Sequence, residues 1–170
     1  MSQQIAIESV VYGFRIALKE TFEEVHGMYL DKGTSLFETI ANIDADQASR
    51  PVTQACATIA AHVAHTRFYL DVVYKSLKDK TWDEKVNWKE IWETVGTVTP
   101  EEWAVIVTML RESYDRVMAE LDNYENWEGE RELSDVLGII VHSAYHLGEI
   151  RQATCFVLYQ QAIEAAQDAP

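Results

Sequence analysis

The sequence predicts an all-α protein, specifically a four-helix bundle with long connections after its first and second helices. Apolar residues recur at the spacing of an α-helix in four long stretches. The 170 residues include only 7 glycines and 3 prolines, which is fewer than a protein of strands and turns normally contains. Because 48% of the residues are hydrophobic, the chain can bury one ordinary core, and residues 1–170 are predicted to form a single domain.

The first two helices are predicted from their apolar faces. The first covers about residues 3–30, with these apolar side chains on one face: Ile7, Val10, Val11, Phe14, Leu18, Phe22, Val25 and Met28. A connection over residues 31–50 follows and contains a short helix around residues 35–41. The second helix is expected over about residues 52–77, because Pro51 suits the start of a helix, where an N–H group has no partner.

The last two helices follow a second long connection. Residues 78–100 are rich in tryptophan and lysine, and they end in the sequence Thr99-Pro100-Glu101-Glu102. Thr99 followed three residues later by Glu102 is the pattern of a capping box, which marks the start of a helix. An acidic break over residues 122–132 separates this third helix from a fourth, predicted over about residues 133–161.

Charge and composition exclude several classes of protein. The chain carries 28 acidic and 14 basic residues, a net charge of −14, and this balance disfavours binding to nucleic acid or to an anionic membrane surface. Its apolar runs are too short to span a bilayer, and no signal peptide is visible in residues 1–10. We therefore expect a cytoplasmic protein in which Cys56 and Cys155 are buried, reduced thiols.

The histidines are the candidates for chemistry, because four of the five fall in two tight pairs. His142 and His146 are four residues apart, so in a helix both rings project from one face and can bind a single cation. By spacing alone, either His62 or His65 of the second helix could supply a third ligand. Histidines on an apolar helix are about as often hydrogen-bonded core residues, and that alternative stays open.

Two other metal sites are excluded by the residues present. A zincin needs glutamate directly after the first histidine, and that position is Ser143. A di-iron carboxylate bundle needs two Glu-x-x-His elements, and only Glu23 to His26 fits.

The fourth helix is apolar almost all round. One stripe contains Val136, Leu137, Ile140, Ala144 and Leu147, and the side that carries His142, His146 and Glu149 is also largely apolar. Such a helix should be buried on most of its surface. We expect the histidine side to face the bundle interior and the other side to pack on a second subunit, giving a homodimer. The alternative is that the long connections cover it.

Two segments carry a family resemblance. Residues 138–152, GIIVHSAYHLGEIRQ, resemble the closing H-x-x-x-H-x-G-[Q/E]-I motif of the DinB/YfiT-like superfamily of metalloenzymes. Residues 59–69, IAAHVAHTRFY, resemble its second-helix motif, and in that register the ligand is His62, with His65 as a departure. The resemblance implies a DinB-like four-helix bundle, usually a homodimer, that binds one divalent cation through His62, His142 and His146.

Ligand chemistry favours a transition metal. Three neutral imidazoles suit zinc or nickel, with iron, cobalt or manganese as alternatives, and three protein ligands leave positions open for water or substrate. Glu149, close to both histidines of its helix, is a candidate fourth ligand, hydrogen-bond acceptor or proton carrier, with a solvated surface carboxylate as the alternative. Tyr69 and Tyr145 are candidates to line the pocket, or aromatic packing residues.

The resemblance also indicates a reaction class. Members of the superfamily include enzymes that use low-molecular-weight thiols, which implies a metal-dependent S-transferase that joins such a thiol to a small electrophile. A metal-dependent hydrolase, in which the ion activates water, is the second hypothesis. A third is a metal-binding or stress-response protein without catalytic turnover.

Overall fold

The structure, a computed structural model, describes residues 5–79, 83–123 and 130–167. These residues form helices and connections without a strand, which confirms the all-α prediction. In chain order the helices are α1 (Ile7–Phe22), α2 (Leu36–Ile40), α3 (Ala45–Ala48), α4 (Ile59–Lys78), α5 (Glu90–Thr94), α6 (Pro100–Asn123) and α7 (Glu130–Gln167). Most of the predicted acidic break lies outside the described residues.

Helix α1 ends at Phe22, eight residues before the predicted end at residue 30. The carboxylate of Glu20 is the physical reason. It accepts hydrogen bonds of 2.6–2.8 Å from the backbone N–H groups of His26, Met28, Tyr29 and Leu30. These donors pair with a side chain instead of with helix carbonyls, so the chain turns back around Glu20, and Gly27 adopts a positive φ of 83° in that turn.

The second predicted helix also begins later than expected. Helix α4 starts at Ile59 because Thr58 caps it: the Thr58 hydroxyl accepts a 3.1 Å hydrogen bond from the N–H of Ala61. The residues between Pro51 and Thr58 form turns, so Cys56 lies in an exposed connection. The prediction that Cys56 is buried was therefore wrong.

The starts of two predicted helices are confirmed. Helix α2 matches the short helix expected around residues 35–41. At the start of α6, the N–H of Glu102 donates to the Thr99 hydroxyl at 3.2 Å and the N–H of Thr99 donates to the Glu102 carboxylate at 2.7 Å. This reciprocal pair is the capping box that the sequence predicted.

The four long helices, α1, α4, α6 and α7, surround the core. Helix α4 packs against both α6 and α7, and α1 also contacts both of them. Among the largest fully buried side chains are Leu18, Phe22, Leu70, Leu110, Tyr114, Ile139, Leu147 and Ile150. The packing of α4 on α7 brings the two histidine pairs face to face. None of the helices in the described part of the chain has the length and apolar character needed to cross a membrane.

Helix α7 runs for 38 residues and has one buried side and one exposed side. The side that carries the histidines is buried, including Ile139, Ile150, Ala153 and Val157. The opposite side leaves large apolar side chains in solvent: Leu133, Leu137, Val141, Leu158 and Tyr159. Cys155 is also exposed, so its predicted burial was wrong; a helix that is apolar all round gives no signal for which side faces solvent.

Candidate metal centre

Four histidines meet between α4 and α7. Nδ1 of His62 lies 3.2 Å from Nδ1 of His146, and Nε2 of His65 lies 3.2 Å from Nε2 of His142. The spacing of each pair along its helix, three residues in α4 and four in α7, directs both rings of the pair toward the facing helix. The two pairs thus face each other across the contact between α4 and α7.

The potential ligand atoms form two sets that share one residue. The inner set consists of His65, His142 and His146, and the outer set consists of His62, His146 and Glu149. Within each set, one ligand atom per residue lies within 4.8 Å of the others. These residues are therefore close enough to bind a metal ion, as the sequence predicted.

The structure distributes the predicted ligands over both sets. His142 and His146 lie together with His65, whereas His62 lies beside His146 and Glu149. His62 and His65 are three residues apart, so their side chains diverge by about 60° around the helix. Which of them stands opposite His142 depends on how far α4 is shifted along α7, and the sequence does not contain that information.

Burial keeps these histidines neutral. It lowers the pKa of His146 to about 3, and the neighbouring rings of His65 and His62 add to this effect because two adjacent imidazolium ions would repel each other. Burial and the His146 ring lower the pKa of His142 to about 3 in the same way. Burial also lowers the pKa values of His62 and His65, and Glu149 opposes this shift. Neutral imidazoles offer the lone pairs that a metal ion requires.

Glu149 contributes a carboxylate to the outer set. Its Oε2 atom lies 2.8 Å from Nδ1 of His146 and 3.3 Å from Nδ1 of His62. This atom is shielded from solvent and has no hydrogen-bond partner. The other oxygen, Oε1, accepts a 2.9 Å hydrogen bond from the hydroxyl of Tyr145. Oε2 of Glu149 thus points into the cluster, while the side chain as a whole is 36% exposed.

Aromatic rings hold the histidines in place. Tyr69 stacks on His142 with ring centroids 3.7 Å apart and an angle of 9° between the planes. Trp92 of α5 lies against His65, with a centroid distance of 4.2 Å, and also contacts His62 and His146. Tyr69, a candidate to line the pocket or to pack as an aromatic residue, packs on His142, whereas Trp92 belongs to the tryptophan-rich connection and was not among the candidates. That enrichment was the available signal.

A cavity of about 500 Å³ opens on the outer set. His62, His146 and Glu149 all line it, whereas His65 and His142 do not. Apolar groups form much of the remaining wall, including Val52, Ala57, Trp92, Tyr145 and Ala153. The volume lies in the range of small-molecule sites, and the few polar groups converge on one end. Tyr145 therefore lines this cavity, which is one of the two roles considered for it from the sequence.

Comparisons of the chain with protein-family models, with curated proteins and with solved structures give no match.

Proposed function

We propose that the chain is a DinB-like four-helix-bundle protein whose histidine cluster binds a divalent transition metal, and that it transfers a low-molecular-weight thiol to a small electrophile. The observation that carries this proposal is the convergence of four neutral histidines and one carboxylate, of which His62, His146 and Glu149 line a mostly apolar cavity. Perturbed titratable groups in a cavity of this size are typical of a functional site.

The residues present fit such an ion. Their donor atoms are imidazole nitrogens and a carboxylate oxygen, a combination that suits zinc, nickel or iron. Oε2 of Glu149 is buried without a hydrogen-bond partner, which is costly for a carboxylate unless a cation compensates it. The inner set supplies three histidines, the ligand number that the sequence resemblance implies, although with His65 in the place predicted for His62.

The bound ion would lower the pKa of a thiol and hold the resulting thiolate. Glu149 faces the cavity beside the cluster and is suited to accept the thiol proton. The S–H bond breaks, the sulfur forms a bond to the electrophilic carbon, and the leaving group departs with the electron pair of its bond to that carbon. Tyr145 keeps the carboxylate in position through its hydrogen bond to Oε1.

The mostly apolar cavity indicates the class of electrophile. Trp92 and Tyr145 offer flat surfaces for an uncharged, partly aromatic molecule. Cys56 and Cys155 are free thiols, which suits the reducing cytoplasm where low-molecular-weight thiols are abundant.

Hydrolysis is the second candidate, and the position of Glu149 is the observation that favours it. A carboxylate 2.8 Å from a ligand nitrogen can also accept a proton from water. The two candidates differ in whether turnover requires a thiol.

Metal content and activity test the proposal together. The protein is purified without a nickel column, and its metal is measured in the wild type, in His146→Ala and in His26→Ala. His146 belongs to both ligand sets, whereas His26 is an exposed histidine outside them, so it is the matched control. We expect bound metal in the wild type and in His26→Ala, and loss of metal in His146→Ala.

Activity is followed as the formation of a fluorescent conjugate between monochlorobimane and either cysteine or glutathione. We expect metal-dependent conjugation that falls to the background rate in His146→Ala and persists in His26→Ala. Metal-dependent cleavage of esters without thiol would instead support the hydrolase. Unchanged metal in His146→Ala would overturn the proposed site.

We also propose that the exposed apolar side of α7 joins two copies of the chain. From Val136 to residue 162 only Glu149 and Arg151 are charged, so this side lacks the negative charges that would repel a second copy of a chain with net charge −14. Leu137 and Val141 are 44% and 66% exposed. A two-fold axis would place the same apolar strip on itself and cover both.

Sedimentation velocity tests this dimer. Val141→Glu introduces a charge at the centre of the strip and should produce monomers. Val105→Glu is the matched control, because Val105 is 55% exposed on α6, away from the strip, and this variant should remain dimeric. A monomeric wild type at micromolar concentration would exclude the dimer.

A further inference from the structure

The ligand atoms of the histidine cluster are divided between two sets. His65 and His142 present their ε nitrogens to each other, whereas His62, His146 and Glu149 bring together two δ nitrogens and a carboxylate oxygen. The sets differ in chemistry as well as in place: the inner set has nitrogen donors only, and the outer set includes a negative charge and lines the cavity.

The three distances in the outer set, and the distance between His65 and His142 in the inner set, match those around a bound ion. Metal–ligand bonds of about 2.0–2.1 Å place neighbouring donors of a tetrahedral site about 3.3 Å apart. In the outer set the three separations are 3.2 Å, 2.8 Å and 3.3 Å. In the inner set, Nε2 of His65 and Nε2 of His142 are 3.2 Å apart. Each set is thus arranged for an ion of its own.

One ion cannot bind both sets at once. Opposite ligands of a single ion lie at most about 4.2 Å apart, twice the length of one bond. The five side chains fall into two sets, each compact within 4.8 Å, instead of forming one. His146 belongs to both, and it offers Nδ1 to the outer set. An imidazole carries a second nitrogen on the other edge of its ring. His146 can therefore contact both positions once its remaining N–H proton is released to solvent, which leaves an imidazolate with a lone pair on each nitrogen.

The unpartnered oxygen of Glu149 is the observation that points to a cation in the outer set. Oε2 is shielded from solvent and lies 2.8 Å from a ring nitrogen without forming a hydrogen bond. A buried carboxylate oxygen in this state lacks a compensating positive charge. The inner set does not supply one, because Glu149 is not part of it.

We propose that the protein binds two divalent metal ions, one in the inner set and a second in the outer set, held by His62, Glu149 and the shared His146. This inference rests on the proposed metal-binding function and extends it. The outer ion borders the cavity, so it is the one that a thiolate or another anionic ligand can reach. The inner ion contacts the cavity only through His146, so it affects a ligand in the cavity only through its positive charge.

Counting ions tests the proposal. Protein freed of metal with a chelator is loaded with excess zinc, passed through a gel-filtration column at physiological ionic strength, and analysed for zinc per chain. We expect two ions in the wild type. Glu149→Gln keeps the size of the side chain but removes its charge, and it should retain the inner ion and bind the outer one at least about 10-fold more weakly.

Two further variants complete the test. His62→Ala should lose the same ion as Glu149→Gln, whereas Glu164→Gln, which changes an exposed carboxylate of α7 outside both sets, should keep two. Cobalt loading gives a second readout, because the d–d absorption of an all-nitrogen site and that of a mixed nitrogen and oxygen site differ. Glu149→Gln should remove only the second of these spectra.

The outcomes separate the two proposals. A wild type that saturates with one ion, unchanged in Glu149→Gln and His62→Ala, overturns the second site and leaves the proposed function standing. A second ion that persists in both variants lies elsewhere, which also overturns it. A wild type without any ion overturns both proposals. Circular dichroism of each variant establishes that the helices are intact, so that loss of an ion is not caused by unfolding.

Discussion

Two of the buried polar clusters in the described part of the chain differ in how well their hydrogen bonds are satisfied. The carboxylate of Glu20 is fully buried and accepts four backbone hydrogen bonds. In the histidine cluster, by contrast, Nδ1 of His65, Nδ1 of His142 and Oε2 of Glu149 have no partner. Satisfied buried groups stabilise a fold, whereas unsatisfied ones destabilise it unless a ligand completes them.

This difference assigns a role to each cluster. Glu20 fixes the turn after α1, and its four donors are all in the same segment of backbone. The histidine cluster joins two helices and opens on a cavity. We therefore expect changes at Glu20 to affect the free energy of unfolding and not metal binding, and changes at the histidines to affect mainly metal binding.

Acid should have the largest effect on the free energy of unfolding of the metal-free protein. Each of the two clusters loses its stabilising contribution in its own pH range. Burial lowers the pKa of His142 and His146 to about 3, so between pH 6.5 and 3 the unfolded chain binds more protons than the folded one. Stability conferred by these groups is therefore present above pH 6.5 and is lost as the pH falls toward 3.

Glu20 adds a second pH range of stability loss, at lower pH than that of the histidines. Burial by itself raises its pKa, but the backbone hydrogen bonds outweigh this and lower the pKa from 4.5 to about 2. Its contribution is thus present above pH 4.5 and is lost as the pH falls toward 2. Urea unfolding in the presence of a chelator, repeated across this pH range, measures both losses. A free energy of unfolding that stays constant between pH 6.5 and 4.5 would contradict the pH range assigned to His142 and His146.

Metal should give the next largest effect, through the histidine cluster alone. A ligand that binds only the folded state at 1,000 times its dissociation constant stabilises it by about 4 kcal/mol. We expect zinc to raise the melting temperature of the wild type and to leave that of His146→Ala unchanged. Equal shifts in the two proteins would place the zinc outside the cluster.

Glu20→Gln should destabilise the fold by about 3 kcal/mol, because an amide NH₂ group would face backbone N–H donors that now bond to a carboxylate. Urea unfolding measures the change. Glu24→Gln is the control, since the Glu24 side chain is 74% exposed, and it should unfold as the wild type does. Zinc affinity should be equal in all three proteins; a loss in Glu20→Gln would show that the two clusters are coupled.

The difference between the clusters also explains what the sequence could predict. The start of α6 was predictable because Thr99 and Glu102 are three residues apart and interact within one turn. The end of α1 was not, because Glu20 bonds to an N–H ten residues further along the chain, at Leu30. Such a contact depends on the path of a loop, which has no helical period to reveal it.

In the metal centre, too, contacts within one helix were predictable and contacts between distant segments were not. That His142 and His146 share a face was predictable from their spacing, and so was the presence of a histidine pair on the second helix. The division into two sets was not, because it depends on the axial shift between α4 and α7. The exposure of Cys56 and Cys155 was missed for a related reason. Their neighbours in the sequence are largely apolar, and this does not indicate which side of the chain faces solvent.

The smallest effect that we predict concerns a glycine that positions one ligand. A Cβ atom at Gly138 would lie 2.9 Å from the hydroxyl oxygen of Tyr69, too close for the two atoms to remain in place. Tyr69 stacks on His142 and also contacts Trp88, so it has little room to move away. Gly138→Ala should therefore displace Tyr69 and reorient the His142 ring.

Because His142 belongs to the inner set only, this variant should weaken one ion and not the other. We expect about 10-fold lower zinc affinity at the inner position, the size of effect typical for loss of a group that orients a ligand. Gly148→Ala is the matched control on the same helix, since a Cβ atom there meets no atom within 4 Å. Alanine also favours a helix by about 1 kcal/mol over glycine. Gly148→Ala should gain that stability, whereas displacement of Tyr69 offsets it in Gly138→Ala. Equal zinc affinity in the two variants would mean that Tyr69 packs beside His142 without orienting it.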